Sequence, residues 1–149
     1  MTDTDTDTDT QRHTDRAGLA ITVDDVEALV LYDDAVDEFV AGRPYRSLAE
    51  ACVERAPTFA LAWACMALAA GADAGLLPPL GRGWPPPTSG LTRRERQHLE
   101  IVGAVLTGRL DRASGLAAEH LTEYPTDRLI ASLHTTAMDL RIRGDDPID

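Results

Sequence analysis

The chain of 149 residues contains no lysine, so each of its 14 basic residues is arginine. Without a lysine amine there is no Schiff-base nucleophile and no Walker-type phosphate lysine. Positive charge is scarce overall: 14 basic residues against 25 acidic ones give a net of −11, which opposes nucleic acid and anionic membrane surfaces as partners. Aromatic residues are also few, 5% of the chain against 44% hydrophobic, and the remaining apolar content is rich in alanine. A sheet favours β-branched and aromatic residues, so this mixture points to close-packed helices and an all-α fold. Only two cysteines occur, Cys52 and Cys65, too far apart for a thiol motif and set in apolar helical patterns where buried thiols serve as small hydrophobes. No run of eighteen apolar residues and no basic start followed by an apolar core is present, so neither a membrane span nor a signal peptide is expected, and the cytoplasm is the expected compartment. Nucleophile elbows, phosphate loops, dinucleotide fingerprints and Cys-His signatures are missing as well.

What is present is clearest between Leu91 and Gly144. Thr92 followed three residues later by Glu95 reads as a capping box, and His98, Leu99, Val102, Val105 and Leu106 then recur at helical spacing up to Gly108. A second helix runs through Leu110, Ala113, Leu116, Ala117, His120, Leu121 and Tyr124 until Pro125 ends it. Thr126 is the expected cap of a third, with Asp127 in its first turn and Leu129, Ile130, Leu133, Ala137, Met138 and Leu140 on its buried side, closed by Gly144 and Pro147.

Upstream the plan repeats. Residues 1–18 alternate Thr and Asp without any apolar period and are expected to be a disordered acidic tail. Their aspartates lack the fixed glycine and terminal glutamate of a calcium loop. Thr22 is the expected cap of a long helix with Val26, Leu29, Val30, Tyr32, Val36, Phe39 and Val40 on a broad stripe ending at Gly42. A short helix follows through Cys52 to Pro57, and a third from Thr58 or Phe59 to Gly71. Residues 76–90 hold five prolines and three glycines, which forbid a regular helix and predict a Pro/Gly-rich loop carrying Trp84. The helical domain thus spans 19–144, about six helices, with a short tail at 145–149.

Gly42 to Gly108 is 66 residues (108 minus 42) and Pro57 to Pro125 is 68 (125 minus 57), each close to twice the 34-residue period of tetratricopeptide repeats, with a slip of two residues inside the second helix. Hairpins of this kind cover their apolar faces by stacking, which predicts tetratricopeptide-like antiparallel pairs. The run Leu91-Thr92-Arg93-Arg94-Glu95-Arg96-Gln97-His98-Leu99, with Gly108, Ala113 and Tyr124-Pro125-Thr126-Asp127, resembles the tetratricopeptide repeat protein 38 family, as does Ala56-Pro57-Thr58-Phe59-Ala60-Leu61-Ala62-Trp63. The resemblance spans about Leu29 to Gly144, corresponds to the N-terminal repeats of that family, and implies a fold rather than a reaction.

Candidate functional residues follow from chemistry. Glu95-x-x-His98 has the spacing of di-iron helices, but no second copy supplies the rest of such a site, so capping explains Glu95 and a buried hydrogen-bonded ring explains His98. His98, His120 and His134 fall near the apolar stripes of consecutive helices, where convergence on zinc is geometrically conceivable. Arg93, Arg94, Glu95 and Arg96 read as a solvated helix start, or alternatively as a fork for a carboxylate. Trp63, Trp84, Arg94, Glu95 and His98 are the expected partner-contacting residues, with no catalytic residue, metal or cofactor assigned. The leading expectation is a non-catalytic module that binds a protein. The alternatives are an accessory or catalytic subunit holding a small molecule or metal on the same helices, and a self-assembling module whose uncapped end, bearing Met138, Leu140 and Ile142, is buried in a homodimer.

Overall fold

A computed structural model of the chain describes residues 12–74 and 90–145, with side-chain detail at 13–69 and 90–136. Among the described residues the fold is all-α: helices α1 (Val26–Val40), α2 (Arg46–Arg55), α3 (Ala60–Ala74), α4 (Arg93–Leu106), α5 (Leu110–Glu123) and α6 (Arg128–Asp145), preceded by a small antiparallel hairpin of β1 (Arg12–Thr14) and β2 (Ala20–Thr22). The acidic repeat before Arg12, Trp84 with most of the Pro/Gly-rich stretch, and the last four residues lie outside the described residues, as do the side chains of Met138, Leu140 and Ile142.

The hairpin corrects the expectation of a structureless tail to residue 18. Gly18 (φ 83°) turns the chain, and Asp15 Oδ1 accepts from the amides of Ala17 and Leu19 at 2.9 and 3.0 Å, closing the turn locally. Thr22 is correspondingly a strand residue rather than a cap. Asp25 caps α1, accepting from Glu27 and Ala28 amides, and the carbonyl of Asp127, rather than of Thr126, takes the first bond of α6 from Ala131 at 3.0 Å. Gly71 and Gly144 do not stop their helices, which continue to Ala74 and Asp145.

The internal repeat extends to individual hydrogen bonds. After α1, Gly42 N–H donates to Phe39 O and Arg43 N–H to Glu38 O; after α4, Gly108 N–H donates to Val105 O and Arg109 N–H to Ala104 O. Both glycines sit at φ 76°, so each helix ends in the same left-handed Schellman cap. The second turns match too: Ala56 N–H to Cys52 O and Phe59 N–H to Ala56 O in the first half, Tyr124 N–H to His120 O and Asp127 N–H to Tyr124 O in the second. The two-residue slip is net: α5 has 14 residues against 10 in α2, and the linker before it is two residues shorter, Arg109 alone against residues 43–45.

Each helix packs on the next, α1 on α3 and α4 on α6 also touch, and α6 returns to α1. That closure is not part of an open stack. The continuous core contains Leu29, Tyr32, Cys52, Phe59 and Leu61 from the first half and Leu99, Val102, Leu129 and Ile130 from the second. Val26, Val30 and Val40, expected on the buried stripe of α1, are instead 58%, 46% and 42% exposed. No helix among the described residues is long and apolar enough to cross a membrane.

Candidate functional site: a buried charged cluster and the groove above it

The start of α4 is solvated only at Arg93 and Arg96. Arg94 is 4% exposed, Glu95 and His98 are fully buried, and they meet Asp15 from the hairpin, His120 from α5 and Asp127 from the turn before α6. Arg94 donates from Nε to Asp127 Oδ2 and pairs through Nη2 with Asp15 Oδ2, both at 3.0 Å. The Arg fork expected for a carboxylate is therefore occupied by two carboxylates of its own chain. Glu95 forms the predicted capping box with Thr92, and it also accepts from the backbone and hydroxyl of Thr22, both at 2.7 Å. Adjacent residues of α4 thus hold the hairpin at two points with charge-assisted bonds.

His120 stands between two acceptors. Its Nε2 lies 2.8 Å from Asp127 Oδ2 and its Nδ1 2.8 Å from Gln97 Oε1, while the Gln97 amide nitrogen donates to Glu123 at 3.3 Å. The Asp127 carboxylate accepts from His120 Nε2 and from Arg94 Nε, so two carboxylates, Asp15 and Asp127, face Arg94 with the His120 ring closing the cluster. Burial alone would raise the Asp127 carboxyl, but the bond from His120, the neighbouring His98 ring and Arg94 outweigh it and hold it well below the usual carboxylate range. Burial opposes charge on Arg94 too, and the field of Asp127 and Asp15 keeps its guanidinium above its ordinary value. His98 goes the other way: fully enclosed, it is held below the usual histidine value by desolvation, with Asp127 only partly compensating. At 3.8 Å from Asp127, His98 Nδ1 is too far for a hydrogen bond, and neither of its nitrogens finds a partner among the described residues.

Carrying the first half onto the second by 66 residues in the first helix and 68 in the second turn sets Ala28 against Arg94, Tyr32 against His98, Cys52 against His120 and Phe59 against Asp127. The first-half residues are a packed apolar set in which Tyr32 and Phe59 rings lie 5.2 Å apart and Cys52 Sγ donates to Ala28 O at 3.1 Å. The scaffold therefore does not require charge at these positions. One half fills them with hydrophobes, and the other with an ion network that costs more to desolvate.

The remaining expected site residues separate. Trp63 is half-buried against the core and spends its indole N–H on Pro57 O at 2.6 Å. Trp84 lies outside the described residues. Arg94, Glu95 and His98 are interior, which corrects their expected role as partner contacts. His98 and His120 do converge, on Asp127, whereas His134 is half-buried on α6 and takes part in none of the cluster's bonds. Among the described residues no three His, Cys, Asp or Glu side chains group as a metal site. Both cysteines are free and buried, and desolvation pushes each thiol up to about 12, which removes thiolate chemistry near neutral pH. Asp15 and Tyr32 had no sequence signal for joining the cluster, because one lies in an Asp-rich repeat and the other in an apolar stripe.

Above the cluster a groove of about 160 Å³ runs between α4 and α5. Glu100, Glu119 and Glu123 stand on its edge and Ile101, Leu116 and His120 along its wall. Glu100 is bridged by Arg112 at 2.7 Å and Glu123 by Arg93 at 3.1 Å. Comparison with protein families, curated proteins and solved structures finds no match to the chain.

Proposed function

We propose that this chain is a non-catalytic, cytoplasmic helical module of tetratricopeptide type that binds another protein, taking an arginine- or lysine-bearing segment in the groove between α4 and α5. The observation that carries this reading is a contrast. The carboxylates of the buried cluster are spent on internal partners, with an adjoining cavity of only about 10 Å³, whereas the groove offers about 160 Å³ beside carboxylates. Its lining carries three glutamates, of which Glu100 is bridged by Arg112 and Glu123 by Arg93, and in a chain of net charge −11 a cationic partner segment is both steered toward it and complementary to it. Leu116, half-buried in the lining beside the buried Ile101, gives such a segment's aliphatic stems an apolar contact.

Fluorescence anisotropy with a short arginine-rich peptide, and the same peptide with citrulline in place of arginine, tests the proposal. The arginine peptide is expected to bind, and Glu119→Arg to weaken it about tenfold, or about 1.4 kcal/mol. Glu54→Arg, an equal charge change on the exposed side of α2, is expected to leave it nearly unchanged. Equal losses from both variants would reduce the interaction to net charge and refute the groove.

A further inference from the structure

A second feature lies apart from the groove, where the hairpin meets α1, α4 and the start of α6. Tyr32 is 2% exposed and Arg94 is 4% exposed, yet Tyr32 Oη and Arg94 Nη1 have no hydrogen-bond partner among the described residues. Leaving a buried donor unmet is costly, more so for a charged one. Both residues line the same cavity, together with Asp15, Asp33 and Asp127, and its volume of about 10 Å³ is about that of one water-sized probe.

We infer that this cavity is a binding site for one neutral, water-sized molecule, water itself, which joins Tyr32 and Arg94 to the surrounding carboxylates. Charge selects the ligand. An anion would satisfy both donors but would meet three carboxylates, Asp15, Asp33 and Asp127, against two guanidinium groups, of which Arg128 is bound to Asp37 at 2.6 Å, while Asp33 is weakly paired, its closest Arg16 side-chain nitrogen at 3.9 Å. A cation would suit the carboxylates but cannot accept from the Arg94 guanidinium. Water does both, accepting from Arg94 Nη1 and Tyr32 Oη and donating to the carboxylates. Burial holds the Tyr32 hydroxyl far above its ordinary titration range, so it remains a donor at all physiological pH. Water here links all four segments at the junction, because each contributes one of its neighbours: Asp15 from the hairpin, Tyr32 and Asp33 from α1, Arg94 from α4 and Asp127 from the α6 turn.

Oxygen-17 magnetic relaxation dispersion counts waters that stay longer than the tumbling time. The folded chain is expected to show one such water that is lost in Tyr32→Phe, and lost again in Val36→Ile, which adds a methyl group to the cavity wall without touching either donor. The second variant keeps the test decisive if the first disturbs the core. Unchanged dispersion in a folded variant of each kind would overturn the inference. So would anomalous bromide density between Tyr32 and Arg94 in crystals grown with bromide, because it would make the site an anion site.

Discussion

Removing the Asp127 carboxylate is the sharpest way to ask what the buried cluster is for. In Asp127→Ala, Arg94 loses its Nε partner and His120 its Nε2 partner, each at 3.0 Å or less, while Arg94 retains only Asp15. All of these groups are at most 8% exposed, so water does not replace the lost acceptor. Breaking one partner out of a buried ion network costs about 3–5 kcal/mol, against a total stability of about 5–15 kcal/mol for a domain of ordinary size. With a urea slope of about 1–3 kcal/mol per molar, the midpoint followed by circular dichroism should fall by at least about 1 M. A second variant decides between a stabilising network and a retained one. Arg94→Met, His120→Leu and Asp127→Val together replace the charges by hydrophobes of similar volume, as the first half already does with Ala28, Cys52 and Phe59. This triple variant should recover much of the loss, because Asp15 alone among the cluster's charges then lacks its ionic partner, and its carboxylate still accepts from the amides of Ala17 and Leu19. The reasoning fails if Asp127→Ala shifts the midpoint by no more than a surface substitution, or if the triple variant is no more stable than the single one.

The same cluster sets a pH dependence. His98 is held below its ordinary value in the folded chain, so as pH falls below about 6.5 the unfolded chain takes up a proton that the folded one refuses, and stability drops by up to about 1.4 kcal/mol per pH unit. Asp127 is depressed in the fold, so its contribution is complete above about pH 4 and is lost as the unfolded carboxyl protonates below it. Urea titrations from neutral pH to about pH 5 should therefore show a decline that His98→Leu abolishes, and an unaltered decline in that variant would remove His98 as its source. A set of glycine substitutions tests the repeated caps. Gly42→Ala and Gly108→Ala should each cost about 1–2 kcal/mol, and by similar amounts, because both sit at φ 76° in the same bonding pattern. Gly115→Ala, inside α5 with open space around it, should instead stabilise by about 0.5–1 kcal/mol. Unequal losses at the first two would mean that the two caps are not equivalent.

The helices were legible because their punctuation is local: Thr92 with Glu95, Gly42 and Gly108, and Pro57 and Pro125 act within one turn of themselves. The hairpin was not, because a three-residue strand has too short a period to read, and what fixes β2 is Glu95, 73 residues away from Thr22. The burial of Arg94 escapes the sequence for a related reason. An Arg-Arg-Glu-Arg run looks solvated from its own helix, and only Asp15 and Asp127, brought from two other segments, make burial tolerable. Convergence of His98 with His120 is within reach of helical spacing, whereas the carboxylate on which they meet reads from sequence as a first-turn charge of a helix.

The pattern of helix contacts says how the two halves are related. Exchanging α1, α2 and α3 with α4, α5 and α6 turns every recorded helix pair into another recorded pair: α3 on α4 becomes α6 on α1, and α1 on α3 becomes α4 on α6. An open array has no reason to bring its last helix back to its first, so the contact of α6 with α1 closes these tetratricopeptide-like hairpins on each other. Arg128 on α6 reaches Asp37 on α1 at 2.6 Å across that junction, while Val26, Val30 and Val40 of α1 stay exposed. The hairpin breaks the symmetry there. Arg16 binds Asp34 and Asp37 on α1, and Asp15 binds Arg94 on α4. The interior charges lie where this added segment enters, so the replacement of Ala28, Cys52 and Phe59 by Arg94, His120 and Asp127 is explained by what the second half must hold rather than by what the helices need to pack.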